Sequence, residues 1–546
     1  MKLVSVAEMQ TIEKEANAAG LTYAQMMENA GRGLAEVVAA RYPHLADDGA
    51  LALVGSGNNG GDALVALTVL AEAGWQTWAY LARPRPQDDA LVQQYEKAGG
   101  TVYALEEDKE YERLHSLLEQ AGVLLDGVLG TGIELPLKEE VAQLLERVRR
   151  ALSELETAPR VVAVDCPSGV DSDSGEAALE SIPADLTVTM AAVKQGLLKT
   201  PAYGLVGELQ LVDIGLPDGG RALSAWQEVQ RQVVTDRMVA EVLPERPLDA
   251  HKGTFGAVLV VAGSVNYTGA VLLAGEAAYR IGAGLVTLAV PGPLHLALAG
   301  HIPEATWVLL PNEMGVISAA AAEIVRKNLG RAKCMLIGPG LGTEDVTGEF
   351  LARLLDPEAR PGRGQIGFIR QAASAKSKEE ENSAGLPPLV VDADGLKLLA
   401  KLDDWPKRLP PGAILTPHPG EMGELTGLSV DEIQAARIET AVRFSREWGH
   451  VVVLKGAFTV IAAPDGQVAV IPVATPALAR AGTGDVLAGV IAGLRAQGLE
   501  PFAAAWAGAW IHAQAGLIAA DYLGTTTSVL AGEVLHAVAD VLTNLC

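Results

Sequence analysis

Two glycine-rich segments constrain what this chain can fold into. They are Gly55-Ser56-Gly57-Asn58-Asn59-Gly60-Gly61-Asp62 and Arg480-Ala481-Gly482-Thr483-Gly484-Asp485. Each follows a segment with the character of a β-strand and precedes an apolar run of helical period. In that arrangement, backbone N–H groups and a helix N-terminus hold phosphate. The pair therefore predicts two anion-binding sites, and two candidate active sites, in one α/β protein.

The length and composition fit a chain of more than one α/β domain. With typical domains of about 100–200 residues, a chain of 546 residues predicts two to four domains, and two is the preferred number. Hydrophobic residues make up 49% of the chain, aromatic residues only 4%, and there are 59 glycines. These values favour tightly packed helix and sheet layers with many turns over a disordered chain.

The net charge limits which partners the protein is expected to bind, and the cysteine spacing indicates the compartment in which it is expected. A formal net charge of −25 opposes binding to nucleic acid or to an anionic membrane surface. Cys166, Cys334 and Cys546 show neither CxxC nor Cys/His spacing, which disfavours disulfides and structural zinc. The N-terminus lacks the apolar core of a secretory signal, and the apolar stretch 501–520 is interpreted as a packed helix rather than a membrane span. A reducing cytoplasm is the expected location.

Residues 1–217 alternate strand and helix patterns. Two helices are predicted within 6–42, ahead of the first long strand. Strands are predicted at 50–54, 76–81, 123–125, 161–164, 186–190 and 209–212. Helical patterns between most of them indicate βα units, so we expect a Rossmann-like, doubly wound parallel sheet whose ligand lies beyond the carboxyl ends of the strands.

A Pro- and Gly-containing linker is predicted at 218–248, ahead of a second α/β domain at 249–546. Strands of the second domain are predicted at 257–261, 286–290, 334–337, 389–391, 413–415 and 451–454, followed by a hairpin of 459–463 and 468–471. Residues 357–383 are rich in charge and poor in apolar side chains, and are interpreted as a mobile surface insertion. Long helices are expected to close the chain.

Acidic residues follow three predicted strands of the first domain. Asp62 ends the first glycine-rich segment, while Asp126 and Asp165 directly follow two later strands. Glycine permits positive φ and a close approach of phosphate, and Asn and Asp oxygens can coordinate a cation. A structural turn explains the glycine segment alone equally well, but three acid-bearing strand ends in one sheet favour a ligand site.

These segments resemble the N-terminal epimerase domain of the nicotinamide nucleotide repair enzymes, over residues 1–217. The resemblance is carried by the segment 58–62, by Asp126 with the glycines of 130–132, and by Asp165-Cys166-Pro167-Ser168-Gly169. It implies interconversion of the R and S epimers of hydrated NADH and NADPH (NADHX and NADPHX), with Asp165 as the carboxylate that moves a proton.

The same resemblance implies a set of ligand-binding residues. It places potassium ligands at Asn59, Asp126 and Ser168, and a further family lysine at Lys194. The implied contacts to the hydrated dinucleotide are Asn58, Asn59, Gly60, Gly61, Asp62, Gly130, Thr131, Gly132, Ile133, Glu134, Leu135, Pro136 and Asp165. Ala63 departs from the family glycine at its position, where we expect helix.

The second glycine-rich segment places an acid beside a phosphate site. Gly482 and Gly484 allow the backbone to wrap an oxyanion at the start of a helix, and Asp485 follows at once. A carboxylate opposes simple phosphate binding but suits a base that deprotonates a hydroxyl attacking a phosphoryl group. The alternative is that Thr483 or Asp485 only caps the helix, and catalysis is the favoured interpretation.

The second domain closely resembles the ADP/ATP-dependent NAD(P)H-hydrate dehydratases, whose fold is ribokinase-like, with α/β/α layers. HKGxxGxVLVxxGS, GPGLG, DAD, LTPHPGE, KGAxT and GTGD occur in family order across 249–546. The resemblance implies nucleotide contacts at Lys455, Gly456, Ala457, Phe458, Thr459 and Gly484. It implies contacts to the hydrate at Ala270, Gly340, His418 and Asp485, with Asp485 as the base and Mg²⁺ bridging nucleotide oxygens. A packed loop histidine is the alternative interpretation of His418.

Together the resemblances predict a bifunctional cytoplasmic repair enzyme. One domain epimerises NADHX and NADPHX; the other dehydrates the S epimer to NADH or NADPH with ADP or ATP, releasing AMP and phosphate when ADP is used. The alternative is a ribokinase-like small-molecule kinase with an N-terminal regulatory or scaffold domain. The sequence does not decide whether ADP or ATP is the preferred nucleotide, or whether NADHX or NADPHX is the preferred substrate. It is compatible with a homo-oligomer, since helices near both termini could pack within or between subunits.

Overall fold

The computed structural model describes residues 1–356 and 385–545, which form two compact units, Met1–Arg231 and Gln232–Cys546. The boundary between the units falls inside the segment 218–248, for which the sequence predicts a linker. The predicted insertion 357–383 lies outside the described residues. Each unit is a mixed α/β layer structure, so the predicted fold class is confirmed.

The first unit is built on a seven-stranded parallel sheet in the order β4-β3-β2-β5-β6-β7-β9. The strand order reverses between β2 and β5, which is where a doubly wound sheet opens its ligand crevice. All six predicted strands are present, and the strand at Thr101–Ala104 was missed. The strands of this unit are β1 (Leu3–Val4), β2 (Ala50–Val54), β3 (Thr77–Leu81), β4 (Thr101–Ala104), β5 (Val123–Gly127), β6 (Arg160–Val164), β7 (Leu186–Met190), β8 (Val193–Lys194) and β9 (Glu208–Val212).

Helices cover both faces of this sheet. Because both faces are buried, a central strand is apolar throughout: Leu51 and Leu53 of β2 enter one core, and Ala52 and Val54 enter the other. The two predicted N-terminal helices are present, and each begins with a capping box. The helices are α1 (Val6–Ala18), α2 (Tyr23–Arg41), α3 (Asn58–Glu72), α4 (Ala90–Lys97), α5 (Glu112–Gln120), α6 (Glu139–Glu154), α7 (Tyr203–Val206) and α8 (Ser224–Glu228).

A two-stranded sheet ties the N-terminus to the crevice edge of this unit. β1 pairs in parallel with β8, and Val4 lies opposite Lys194. Strands of two residues carry no readable alternation, so the sequence did not predict this pairing. The pairing brings α1, which follows β1 directly, beside the carboxyl end of β7.

The second unit is built on a ten-stranded sheet in the order β10-β21-β20-β19-β18-β17-β16-β11-β12-β13. The strands from β19 to β13 in this order are parallel, while β20 and β21 form the predicted antiparallel hairpin. The predicted strands are all present, whereas β10, β13 and the two-residue strands β14 and β15 were missed. The strands are β10 (Arg231–Val233), β11 (Ala257–Val261), β12 (Leu285–Pro291), β13 (Thr306–Leu310), β14 (Asn312–Glu313), β15 (Val316–Ile317), β16 (Cys334–Ile337), β17 (Leu389–Val391), β18 (Ile414–Leu415), β19 (Val451–Leu454), β20 (Val460–Ala462) and β21 (Val468–Val470).

The long helix α18 packs closely against α10, and its start lies at the edge of this sheet. A side chain at Gly489 would lie 2.2 Å from the carbonyl oxygen of Ala274, so glycine lets α18 approach α10. The stretch 501–520 is confirmed as a packed helix, with both of its tryptophans buried. No helix within the described ranges is long and apolar enough to cross a membrane. The helices are α9 (Asp236–Val242), α10 (Thr268–Arg280), α11 (Gly292–Leu298), α12 (Ala321–Lys327), α13 (Asp345–Leu355), α14 (Asp394–Leu399), α15 (Pro419–Thr426), α16 (Val430–Ala435), α17 (Arg437–Trp448), α18 (Thr483–Ala496), α19 (Pro501–Leu523) and α20 (Ala531–Leu545).

Candidate active sites

The first glycine-rich segment is the start of a helix rather than an open loop. Helix α3 already begins at Asn58, and its N-cap, Gly57, has φ −94° and no side-chain cap. Although glycine permits positive φ, none of the four glycines in this segment adopts it. Their role is close packing: a Cβ at Gly60 would lie 2.0 Å from the carbonyl oxygen of Gly55. The helix start, with its unpaired N–H groups, thereby lies against the end of β2.

Asn59, Asp126 and Ser168 meet at the carboxyl ends of β5 and β6. Ser168 donates to Asp126 from its backbone N–H at 2.8 Å and from its hydroxyl at 2.5 Å. The amide of Asn59 donates to the carbonyl oxygens of Leu129 (2.9 Å) and Val164 (2.5 Å). Asp126 is completely buried, and burial raises its pKa. Among the described residues, no lysine, arginine or histidine forms an ion pair with it.

Asp165 is held rigidly at the end of β6. Its φ of +64° is strained for a residue with a side chain, and such strain persists where the surroundings fix the residue. Its carboxylate accepts hydrogen bonds from the backbone N–H of Met190 (2.9 Å), from the hydroxyl of Thr189 (3.1 Å) and from the ammonium group of Lys194. Lys194 is 2% exposed and also donates to the carbonyl oxygen of Met190 at 3.0 Å. The predicted acid and the predicted lysine therefore form one buried ion pair.

Two further carboxyl groups lie within electrostatic reach of this ion pair. Burial, together with the charge of Asp165, raises the pKa of Asp62 well above its ordinary value. Burial and the same charge also raise the pKa of Glu13, against the opposing effect of Lys194. The site thus combines a carboxylate paired with a lysine and carboxyl groups that favour the protonated state. Glu13 was missed by sequence reasoning because only the pairing of β1 with β8 brings α1 to this edge.

The segment 130–136 follows β5 and leads toward α6. Its residues are half-buried or exposed, as contacts to a ligand require. A Cβ at Gly130 would lie 2.6 Å from the side-chain oxygen of Asn59, so glycine here keeps that oxygen accessible. The predicted substrate-binding segment and the predicted potassium ligands are therefore in direct contact.

The second glycine-rich segment has the predicted form. Gly482 is the N-cap of α18, with φ +89°, and the helix has no side-chain cap. The hydroxyl of Thr483 is occupied, because it donates to the carbonyl oxygens of Leu478 (2.9 Å) and Arg480 (2.8 Å). Neither Thr483 nor Asp485 caps the helix, which contradicts the capping alternative. The uncapped N–H groups at this end remain available to an anion.

Lys455 connects the end of β19 to a cluster of acids. Its ammonium group lies 2.7 Å from Asp392 and 3.6 Å from Glu421. Burial alone would lower the pKa of Lys455, but the charges of Asp392, Glu421 and Asp485 outweigh burial and raise it. A Cβ at Gly484 would lie 3.5 Å from this ammonium group, so Lys455 faces the start of α18. The positive charge of Lys455 and the N-terminus of α18 therefore lie next to each other.

Asp485 has the electrostatic character of a base that works near neutral pH. Burial, followed by the charge of Asp392, raises its pKa from 3.8 to about 7. A general base is most effective when its pKa lies near the operating pH. A carboxyl group that only capped the helix would not need a buried environment that raises its pKa.

His418 has both a structural role and an exposed face. It is the N-cap of α15, and its Nδ1 accepts hydrogen bonds from the backbone N–H groups of Gly420 (3.0 Å) and Glu421 (3.2 Å). Nε2 lies 3.4 Å from Oε1 of Glu421, and the side chain is nevertheless 53% exposed, so the exposed edge of the ring can meet a ligand. Its predicted substrate contact and the loop-packing alternative are compatible with each other.

A cavity of about 780 Å³ opens beside these groups. Six predicted ligand-binding residues line it: His418, Lys455, Gly456, Ala457, Thr459 and Gly484. Within the described residues, Ala270, Gly340, Phe458 and Asp485 do not line it. Ala270 and Gly340 form a separate pair, since a Cβ at Gly340 would lie 3.0 Å from that of Ala270. Asp485 is linked to the cavity residues by electrostatics, since the charge of Lys455 lowers its pKa while those of Asp392 and Asp394 raise it.

Comparison with known proteins identifies the family. Residues 258–538 match the family model described as NAD(P)H-hydrate dehydratase, and residues 23–196 match that of the YjeF-related protein N-terminus. The bifunctional NAD(P)H-hydrate repair enzyme of Moorella thermoacetica is 36% identical, over 100% of this chain and 97% of that protein. This chain belongs to the bifunctional NAD(P)H-hydrate repair enzyme family.

Other members of the repair enzyme family match over most of their length. The bifunctional NAD(P)H-hydrate repair enzyme of Escherichia coli is 32% identical, over 94% of this chain and 88% of that protein. A solved ADP/ATP-dependent NAD(P)H-hydrate dehydratase from Bacillus subtilis, co-crystallised with ATP and Mg²⁺, is 28% identical. It covers 57% of this chain and 98% of its own, with a TM-score of 0.45.

Proposed function

We propose that this chain carries out both reactions of NAD(P)H-hydrate repair. The Met1–Arg231 unit interconverts the R and S epimers of NADHX and NADPHX, and the second unit dehydrates the S epimer with ADP or ATP. The observation that carries the proposal is Asp485, a carboxyl with a pKa of about 7 at the uncapped start of α18. A small-molecule kinase would share this feature, but membership of the repair family favours dehydration.

In the dehydratase reaction, Asp485 takes the proton from the hydroxyl of the hydrate. The hydroxyl oxygen then attacks the terminal phosphoryl group of ADP, and AMP is the leaving group. Lys455 and the N–H groups at the start of α18 stabilise the negative charge on the phosphoryl oxygens. Phosphate next departs from the ring carbon while the ring nitrogen supplies electrons, and loss of a proton from the adjacent ring carbon of the resulting iminium ion regenerates the dihydronicotinamide. Phosphate leaves more readily than hydroxide, which explains why a nucleotide is consumed.

Mg²⁺ fits the nucleotide end of this site. The described residues contain no cluster of three His, Cys, Asp or Glu side chains that could hold a metal, so nucleotide oxygens would supply most of its ligands. Within the same ranges, Oδ2 of Asp392 is buried without a hydrogen-bond partner, and it lies 3.9 Å from a Cβ built on Gly484. Asp392 would therefore contact the cation. Bound Mg²⁺ offsets the charge of the phosphate oxygens.

Potassium fits the cluster of Asn59, Asp126 and Ser168. All the available ligands there are oxygens, and Asp126 is a buried carboxylate without a cationic side-chain partner in the described chain. Bound K⁺ would offset this buried charge. The ring nitrogen would supply electrons as the substrate hydroxyl leaves as water, with a proton from a nearby protonated carboxyl such as Asp62, and the adjacent Asp165 would take the proton from the water that adds to the opposite face.

The proposal is tested with the full-length protein and an equilibrated mixture of R and S NADHX. With ADP and Mg²⁺ in potassium buffer, NADH absorbance is expected to return to completion with release of phosphate. Without ADP, the protein should still equilibrate a purified epimer, and replacement of K⁺ by tetramethylammonium should slow that step. A stable phosphorylated product without NADH would instead establish a kinase. Failure to equilibrate the epimers would leave the first unit as a scaffold.

Dehydration is expected to depend on pH through Asp485. Because the base must be ionised and its pKa is about 7, kcat/KM for the S epimer should rise with pH through about 7 and level off above it. The profile is measured at saturating ADP. The residual rate of Asp485→Asn serves as the reference and should lack this rise. A profile for the unmodified protein that is flat between pH 5.5 and about 8.5 would contradict the assignment of the base.

The cysteines support a reducing compartment. Cys166 and Cys334 are both buried free thiols, and burial raises the pKa of each to about 12. Such thiols pack as small hydrophobic groups and are unreactive. We therefore propose a cytoplasmic location.

A further inference from the structure

The order of the strands in the first unit indicates where each half of a bound dinucleotide lies. Asp165, which is proposed to act at the hydrated nicotinamide ring, follows β6, and the helix start that can hold the phosphates follows β2. Because β5 lies between β2 and β6 in the sheet, the nicotinamide half extends from β2 toward β6. The adenosine half therefore extends the other way, over the carboxyl ends of β3 and β4.

A cavity of about 240 Å³ lies at the carboxyl ends of β3 and β4. Its lining includes the last residue of each strand, Leu81 and Ala104, and Tyr111 supplies an aromatic ring. Its volume is below the range of about 300–1,000 Å³ that is typical of pockets for a whole small-molecule ligand. The cavity can therefore hold one end of a dinucleotide, and its place in the sheet is that of the adenosine end.

Arg83 lies two residues after β3 and lines this cavity with a charge that has no counter-ion. In the described ranges, five arginines have a buried Nε without a hydrogen-bond partner, and four of these place a terminal nitrogen on an oxygen atom: Arg231, Arg326, Arg437 and Arg495. Arg83 is the fifth, and within those ranges its guanidinium joins no hydrogen bond or ion pair. Its two terminal nitrogens are not among the buried atoms, so they keep accessible surface. A partly buried charge without a partner favours an anionic ligand.

Arg85 ties the segment after β3 to the phosphate end of the crevice. Its guanidinium donates to the carbonyl oxygen of Gly55 at 2.6 Å and pairs with Asp89 at 2.8 Å. Gly55 directly follows β2, and its carbonyl oxygen lies against the start of α3. The charge of Arg85 is thus already paired, whereas that of Arg83, two residues earlier, is left for a ligand.

We propose that Arg83 binds the 2′-phosphate of NADPHX, so that the first unit epimerises NADPHX in preference to NADHX. The two substrates differ only at this position of the adenosine ribose, where NADHX carries a hydroxyl. In dinucleotide-binding sheets, an acid near the end of this strand binds the 2′-hydroxyl, whereas an arginine accommodates the 2′-phosphate. A guanidinium can pair with phosphate through two parallel hydrogen bonds, while a hydroxyl cannot offset its charge.

Two carboxylates also line the cavity, Glu106 and Glu140. Both are exposed, so water and salt screen their charges, and neither forms an ion pair with Arg83 within the described residues. They leave the positive charge of Arg83 available. The inference rests on the proposed epimerisation and adds the residue that distinguishes its two substrates.

The test measures epimerisation by the full-length protein without ADP, so that dehydration does not consume the product. Purified R epimers of NADPHX and NADHX are converted separately, and chromatography follows the appearance of each S epimer. In the unmodified protein, kcat/KM for NADPHX should exceed that for NADHX by about 10-fold or more. In Arg83→Met, which keeps a long side chain but removes the charge, the two values should agree within about 2-fold. The contact is remote from the reacting ring, so the change should appear in KM for NADPHX more than in kcat.

Arg149→Met is the matched control, since Arg149 is an exposed arginine of the same unit and its loss changes the net charge equally. It should keep the unmodified preference, and Arg83→Lys should keep part of it. A second measurement uses 2′-phospho-ADP-ribose and ADP-ribose as inhibitors of NADHX epimerisation. The phosphorylated compound should inhibit the unmodified protein about 10-fold more strongly, and Arg83→Met should not distinguish the two inhibitors.

Equal use of NADPHX and NADHX by the unmodified protein, or an unchanged preference in folded Arg83→Met, would overturn the inference. Should Arg83→Met fail to fold, the comparison of the two inhibitors with the unmodified protein decides. Epimerisation of neither substrate would instead refute the proposed function.

Discussion

Asp485→Asn is expected to abolish dehydration of S-NADHX while epimerisation continues at its normal rate. Asparagine keeps the size of the side chain but cannot accept the proton of the hydrate hydroxyl. Loss of a general base typically lowers the rate by about 10²–10⁴-fold, and this loss should appear in kcat at saturating ADP. NADH absorbance measures dehydration, and chromatographic separation of the R and S epimers measures the other reaction.

The same substitution is expected to stabilise the second unit at alkaline pH. The folded pKa of Asp485, about 7, lies above its ordinary value of 3.8, so the folded state binds the proton more tightly than the unfolded chain. Stability therefore falls as pH rises between these values, and the full cost is present above about 7. The difference between the two pKa values corresponds to a loss of at most about 4 kcal/mol in the free energy of unfolding, and Asp485→Asn removes this loss. The Tm of the variant should exceed that of the unmodified protein at pH 8, and the difference should shrink toward pH 5.

Asp521→Asn provides the control for both measurements, because Asp521 is an exposed carboxylate in the same unit. It should leave dehydration and Tm unchanged. Dehydration by Asp485→Asn within 10-fold of the unmodified rate would show that another group takes the proton.

Asp165→Asn is expected to eliminate epimerisation and spare dehydration of purified S-NADHX. The substitution removes the proton acceptor and also leaves Lys194 buried without its anionic partner. Proton-transfer groups contribute about 10²–10⁴-fold, so the R and S epimers should exchange no faster than they do without enzyme. Breaking a buried ion pair from one side costs about 3–5 kcal/mol, so this variant should also melt earlier.

A second variant separates catalysis from stability. In Asp165→Asn combined with Lys194→Met, neither charge remains, and much of the lost stability should return without any epimerisation. Asp88→Asn, which changes an exposed carboxylate of the same unit, should preserve both the stability and the rate of epimerisation. Epimerisation by a folded double variant at the normal rate would exclude Asp165 from the chemistry.

Local sequence patterns were sufficient to predict most of the sheets. Apolar runs of four or five residues, such as those of β2 and β16, coincide with buried strands because parallel sheets bury both faces. The pattern failed for the partly exposed β4 and β13, where apolar residues are fewer or mixed with exposed positions. It also left open what the glycines of the first segment do, and the structure shows that they serve close helix packing. Contacts between segments distant in sequence decide which of these roles a glycine has.

The amino-acid sequence by itself determined the fold class, the two glycine-rich helix starts and the order of the family motifs, since each depends on neighbouring residues. The tertiary structure alone decided the electrostatics of the two sites. Glu13 reaches the Asp165–Lys194 pair only through the pairing of β1 with β8. Asp485 gains a pKa of about 7 only because distant segments exclude water from it and place Asp392 nearby. Protonation states depend on burial and on charges brought together from the whole chain, which no local pattern encodes.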